Sequence, residues 1–296
     1  MSPPPVIRRT AAGLAAVALL ALAGCTPGAA DVGVFDVADD KLSQAISPGT
    51  LVAGYRINDH TIRVTTGASP ETHVIHQADA PDTAAGDPIA EPSAPLTVLG
   101  SEFPLEASLE RVRALLGECD GLAAADVQAL SPTVVVTRAT CDADGAETRS
   151  VLLGDRPVSA VADPWSDAAV DELWGELEAS GLGDRLTRIE VDTVEDQLRV
   201  SFAGRDPQRT YRWLRGLSEP DSQVLSQEAA PGPQMSLAKA GADQVKDALT
   251  EALADAADRA AAARFEVAPT GDGSSIALTV TAEDWTEIAS VTLGAS

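Results

Sequence analysis

Arg199, Arg205, Arg209, Arg212 and Arg215 crowd one stretch, with Asp206 the only carboxylate among them. Within that stretch Arg209, Tyr211, Trp213 and Arg215 fall on alternate positions. Alternate positions share one face of a strand. Guanidinium forks grip carboxylate and phosphate, and rings stack on flat or sugar-like surfaces. Arg209, Tyr211, Arg212, Trp213 and Arg215 are therefore a candidate contact for an anionic ligand, a cell-wall polymer or a partner protein. The competing reading pairs the arginines with nearby carboxylates and packs Tyr211 and Trp213 in the core.

Other chemistry is thinly supplied. The chain has His60, His73 and His76 and no later histidine. Imidazole is a common metal ligand, but the odd spacing of His73 and His76 on an extended strand points them to opposite faces. They can share a metal only if the strand bends or ends between them, so no metal or cofactor is expected. Asp142-Ala143-Asp144-Gly145 opens like a calcium loop, yet the required glutamate position holds Leu153. A hairpin turn is the expected reading. No Gly-x-Ser-x-Gly elbow is present, and a serine–lysine pair is limited to Lys41, Lys239 or Lys246. Scattered carboxylates do not define a glycosidase pair, which needs a set separation in a cleft. An enzyme is not the expected reading.

The elements that must carry these residues repeat a pattern of one helix and about three strands. In 166–217, Val170, Leu173, Trp174 and Leu177 form a helical apolar stripe, with Ser166 as N-cap and Gly181 and Gly183 at the end. Strands are expected at 186–191, 197–202 and 209–214, with Leu198, Val200 and Phe202 pointing inward. In 236–296, Val245, Ala248, Leu249, Ala252, Leu253 and Ala256 line one long helix, followed by strands at 265–267, 276–280 and 288–293. Gly271-Asp272-Gly273 turns between the first two. In 105–158, Leu109, Val112, Leu115 and Leu116 precede strands at 127–130, 134–139 and 149–153. A fainter copy at 39–77 carries strands at 51–57, 61–66 and 72–76, with Asn58-Asp59 at the hairpin. The expected fold is α+β: tandem αβββ-like units forming antiparallel sheets with helices packed on one face.

The N-terminus carries a different message. Arg8 and Arg9 precede an apolar run over 11–23, too short to span a bilayer, which needs about 20 residues. Leu22-Ala23-Gly24-Cys25 follows. A basic start, a short apolar run and small residues before a cleavage site make a secretory signal. With the cysteine in place, the segment resembles the lipobox of bacterial lipoproteins. That resemblance covers about the first 25 residues. It implies diacylglyceryl transfer to Cys25, cleavage after Gly24 and residence on the outer face of the cytoplasmic membrane. Two acyl chains give stable attachment where one gives marginal binding. Arg8-Arg9 also fits twin-arginine export, although Thr10-Ala11-Ala12 lacks the usual bulky pair.

Export places Cys119 and Cys141 in an oxidising compartment, where a disulfide between them is expected. The formal charge is −24 for 296 residues. Such a charge strongly disfavours nucleic acid, whose binding rests on Lys and Arg contacts to phosphate, so no nucleic-acid partner is expected. It equally disfavours lying flat on an anionic membrane. Three lysines against eighteen arginines, with abundant alanine, point to a high-GC genome such as an actinobacterium's.

The organisation expected is a lipoprotein signal peptide over 1–24, a tether over 25–34, a small αβββ-like unit over 35–77 and a flexible, proline-rich linker over 78–95. Two αβββ-like units over 96–217, a connector over 218–235 and a last unit over 236–296 complete it. The function expected is binding or scaffolding in the cell envelope. A carrier with an apolar pocket for a lipid or small molecule comes second, and an envelope hydrolase third.

Overall fold

The computed structural model describes residues 34–68, 71–77, 89–90, 95–117, 122–143, 146–271 and 273–293. They lie within one compact unit, Gly33–Ser296. The expected signal peptide, the tether up to residue 33, Cys25 and Cys119 fall outside the described residues, and Val34, the last tether position, begins the first helix.

The first half of this unit builds one sheet. Helix α1 (Val34–Ala45) is followed by β1 (Leu51–Asn58), β2 (Thr61–Thr66) and β3 (Glu71–Gln77). Two short strands, β4 (Ile89–Ala90) and β5 (Val98–Leu99), precede α2 (Leu105–Gly117). Then come β6 (Leu122–Ala129), β7 (Val135–Ala143), β8 (Ala146–Leu153) and the short β9 (Arg156–Pro157). The sheet has nine strands in the order β4-β3-β2-β1-β6-β7-β8-β9, with β5 pairing β1. The first strands of two successive αβββ units thus meet antiparallel at the centre. Val34, Ala38 and Leu42, spaced at four residues, put one stripe of α1 into the core. It packs with Tyr55, Ile57, Ile62, Val64, Leu109, Val112 and Val127 on the helix side of this sheet.

The second half repeats the plan. Helix α3 (Asp167–Ala179), then β10 (Leu186–Asp192), β11 (Gln197–Ala203), β12 (Thr210–Gly216) and β13 (Ser222–Gln227) form the third unit. The fourth holds α4 (Ala242–Ala252), α5 (Ala256–Ala261), β14 (Ala262–Pro269), β15 (Ile276–Ala282) and β16 (Glu287–Leu293). The seven-stranded sheet runs β13-β12-β11-β10-β14-β15-β16, again joined at its centre by two first strands. The Ser166 hydroxyl caps α3 by accepting from the Ala169 amide at 3.3 Å.

The tandem αβββ plan expected from the sequence is present, with helices on one face of antiparallel sheet. Three details differ. The 78–95 linker includes a strand, β4, that pairs with β3. The 218–235 connector contains β13, a full edge strand paired with β12 from Thr210↔Gln227 to Arg215↔Ser222. The long alanine-rich helix is two helices. Asp255 interrupts it by accepting from the Ala257 amide at 2.7 Å and capping α5, because a short acidic side chain competes for the backbone donors of the next turn.

The two sheets share apolar packing. Val136, Val151 and Leu153 point away from α1 and α2, and they belong to the same buried cluster as Val170, Trp174 and Leu177 of α3. Only part of that second face of the nine-stranded sheet is covered in this way. The uncovered part carries the candidate site.

Candidate functional site

The arginine strand singled out from sequence is mostly core. Trp213 and Arg215 are 0% exposed and Tyr211 is 5% exposed. The Trp213 indole N–H donates to Ser222 Oγ at 2.6 Å, and Tyr211 stacks on Phe202 with centroids 5.9 Å apart. Arg215 is held by Glu176 at 2.8 Å. Arg209 pairs with Asp206 at 3.3 Å and Glu228 at 3.2 Å. Of the five, Arg212 alone is exposed and without an ion pair. These residues therefore do not form one exposed contact. Alternation along a strand defines a face, and here that face is the one buried under α3.

The neighbouring arginines are committed as well. Arg199 bonds Glu190 and Asp192 at 2.5 and 3.1 Å, and Arg264 donates to Asp192 at 2.8 Å. The Arg264 guanidinium also lies 4.0 Å from the ring centre of Trp285, which is 60% exposed at the β15–β16 turn. Burial raises the Asp192 carboxyl, but the Glu195 amide, Arg264 and the Val194 amide outweigh it and hold the group below its ordinary value.

The histidines sit differently from the alternation argument. Val64 faces His73, whereas Ile62 faces His76, with a register shift between Ile62 and Arg63. The extra residue of this bulge returns His76 to the side of His73. Even so, no group of three or more His, Cys, Asp or Glu residues among those described could hold a metal. Asp142 and Ala143 end β7, which pairs β8 up to Ala143↔Ala146, as a hairpin requires. Cys141 is disulfide-bonded. Lys246 is tied to Asp171 and Asp243, each at 2.8 Å.

A different set of arginines stands out once register is known. Arg63 faces Arg56, Arg56 faces Asp126, and Asp126 faces Arg138, in one row across β2, β1, β6 and β7. All four lie on the face of the sheet opposite α1 and α2. Their strand neighbours Tyr55, Ile57, Ile62, Val64, Ala125 and Val127 point into the helix-side core. Arg138 pairs with Asp126 at 3.3 Å and approaches Asp221 at 3.6 Å. Among the described residues Arg56 and Arg63 have no ion-pair partner, and Arg63 Nε is buried without an acceptor.

The row floors a cleft of ≈ 340 Å³, walled by Gln223, Val224 and Leu225 of the edge strand β13. A second cleft of ≈ 270 Å³ shares Arg56, Asp126 and Arg138 and extends towards Arg149 and Asp221. The wall is fixed by Gln128, whose side-chain amide donates to Val224 O at 3.0 Å and accepts from Val224 N at 2.8 Å. This satisfies the outward-facing groups of an edge strand that would otherwise be unpaired. Thr65 and Thr72 add hydroxyls, bonded to each other at 2.8 Å.

Sequence reasoning missed this set. Each arginine sits singly in a different strand; the β1–β2 hairpin opposes Arg56 and Arg63, and only the β1–β6 pairing brings Arg138 alongside them. The available signal was an arginine at an outward position of three separate strands.

The architecture defines an α+β body of paired αβββ units with a cationic cleft on an acidic chain. No family model matches the sequence, and no curated protein matches it. Among solved structures it is similar to the PCNA2–PCNA3 complex from Sulfolobus tokodaii, with 10% identity, TM-score 0.18 and coverage of 88% of this chain and 93% of that chain. It is also similar to Proliferating Cellular Nuclear Antigen from Entamoeba histolytica, with 12% identity, TM-score 0.16 and coverage of 85% and 91%. At these TM-scores the likeness carries no argument.

Proposed function

We propose that this chain is a lipid-anchored lipoprotein of the outer face of the cytoplasmic membrane, acting as a binding or scaffolding module in the cell envelope. The observation that carries the reading is Leu22-Ala23-Gly24-Cys25 after a basic start and a short apolar run. No helix among the described residues is long and apolar enough to cross a membrane. In this reading attachment falls to the acyl chains on Cys25. The binding reading draws support from a cleft whose walls are fixed and whose Arg56 and Arg63 are uncommitted. The carrier reading gains nothing from the clefts described, because arginine and other polar groups line them.

The test is to express the full-length chain and Cys25→Ala in a high-GC bacterium and measure mass and membrane partition. A lipid mass increment and membrane partition in the wild type, both lost in the variant, are expected. A wild type without the increment overturns the proposal.

A further inference from the structure

We propose that the Arg56–Arg63–Arg138 cleft is a binding site for a phosphoryl group. The inference deepens the binding reading above and rests on it only for the idea that the chain binds something; it does not depend on the lipid.

Arg56 and Arg63 are directly opposed across β1 and β2. Like charges in that relation destabilise a sheet, and a buried guanidinium N–H without an acceptor adds a desolvation cost. The chain has 45 acidic residues to relieve it. It pairs them with Arg111, Arg113, Arg156, Arg188, Arg199 and Arg264, among others, whereas this pair has only Asp126 opposite Arg56, and that carboxylate is bonded to Arg138. An oxyanion seated between the two guanidiniums removes both costs at once.

The chemistry of the lining selects the anion. A planar carboxylate is satisfied by a single guanidinium fork. Here three guanidiniums from three strands line one cleft, which suits an anion offering more acceptor oxygens. Asp126 and Asp221 offset part of that charge through Arg138, so Arg56 and Arg63 supply the surplus. The rest of the lining mixes Thr65, Gln128 and Gln223 with Pro95, Val224 and Leu225, so the arginine row rather than the wall selects a compact, oxygen-rich group. The net charge of −24 does not oppose this at short range. At physiological salt, charges more than about 8 Å away are largely screened.

The phosphoryl group can be free, part of a wall phosphodiester polymer, or a lipid headgroup. The experiment is titration of the full-length chain in nonionic detergent with inorganic phosphate, and with acetate at matched ionic strength. Saturable phosphate binding that acetate does not reproduce is expected. Arg56→Gln and Arg63→Gln should each weaken it by about tenfold, while Arg212→Gln leaves it unchanged. If Arg63→Gln does not fold, the exposed Arg56 decides. No saturation, equal acetate binding, or insensitivity to Arg56→Gln overturns the proposal.

Given phosphate binding, a soluble glycerol phosphate polymer and phosphatidylglycerol vesicles separate the sources. Arg56-dependent binding of the polymer assigns the wall, and of the vesicles the headgroup. Neither, with phosphate binding kept, assigns a small soluble ligand. Cys25→Ala should titrate like the wild type. A failed anchor therefore leaves the cleft standing, and a failed titration leaves the anchor standing.

Discussion

Glu176 of α3 and Arg215 of β12 form a two-point ion pair with neither side chain exposed, Nε to Oε2 at 3.0 Å and Nη2 to Oε1 at 2.8 Å. The other guanidinium donors reach the carbonyls of Gly216, Leu217 and Ser159. The arginine is satisfied on every side, and it ties the helix to the sheet beneath it.

Arg215→Met should cost about 3–5 kcal/mol at pH 8, because it leaves a buried carboxylate uncompensated. Burial already raises the Glu176 carboxyl above its ordinary value, against the pull of Arg215. Without Arg215 it rises further. A raised acid binds its proton in the folded state first, so the variant gains stability as pH falls from 8 towards 5. Urea midpoints at the two pH values read this directly. A midpoint deficit that stays constant counts against a charged Glu176 at pH 8.

Asp192 predicts the opposite trend for the wild type. Its carboxyl is held low by the Glu195 amide, Arg264 and the Val194 amide, which outweigh burial. A depressed acid contributes stability above its unfolded value, near pH 4, and loses it as pH falls through the folded value. Asp192→Asn should cost about 3–5 kcal/mol at pH 7, since Arg199 and Arg264 lose a buried partner. The gap from wild type should narrow by pH 3. An equal gap at both pH values refutes the assignment.

Gln128→Ala removes both bonds to Val224 and should cost about 1–3 kcal/mol. The more specific readout is hydrogen exchange at the Val224 amide, which should accelerate while the amides of β11 do not. Unchanged exchange at Val224 means that β13 is held on the nine-stranded sheet by other contacts.

Gly54→Ala tests the seam of that sheet. A Cβ there lies 2.0 Å from Val127 O, a backbone atom of the partner strand. Neither strand can yield without breaking the β1–β6 register, so the cost should exceed the roughly 1–3 kcal/mol of ordinary overpacking. A denaturation midpoint close to wild type shows that the strands separate more easily than this contact implies.

Much of the fold was legible in the residues because short-range physics decides it. The stripe Val170, Leu173, Trp174, Leu177 dictates α3, and Leu198, Val200 and Phe202 dictate the inward face of β11; all are buried. Asn58 was readable as a turn residue, and its Oδ1 accepts from the His60 and Thr61 amides at 3.0 and 2.8 Å. What escaped depended on partners distant in the chain. The strand Arg209–Arg215 alternates as a binding face does, but α3 and Glu176 bury it. His73 and His76 required a bulge that no spacing rule announces. Arg56 and Arg63 meet across the local β1–β2 hairpin, but Arg138 joins them only through the β1–β6 pairing, which no local window contains.

The central seams also set a timetable. Within each unit the strands are joined by hairpins, local closures that form in about 1–10 μs. The β1–β6 and β10–β14 pairings join residues far apart in sequence, as Gly54↔Gln128 and Ile189↔Val267 show. Contacts of that kind are slow, because the intervening loop must be ordered first. Half-built units thus precede whole sheets, each with a first strand awaiting its mate. Refolding should show early hairpin protection and a late, concentration-sensitive phase in which a first strand pairs with the wrong copy.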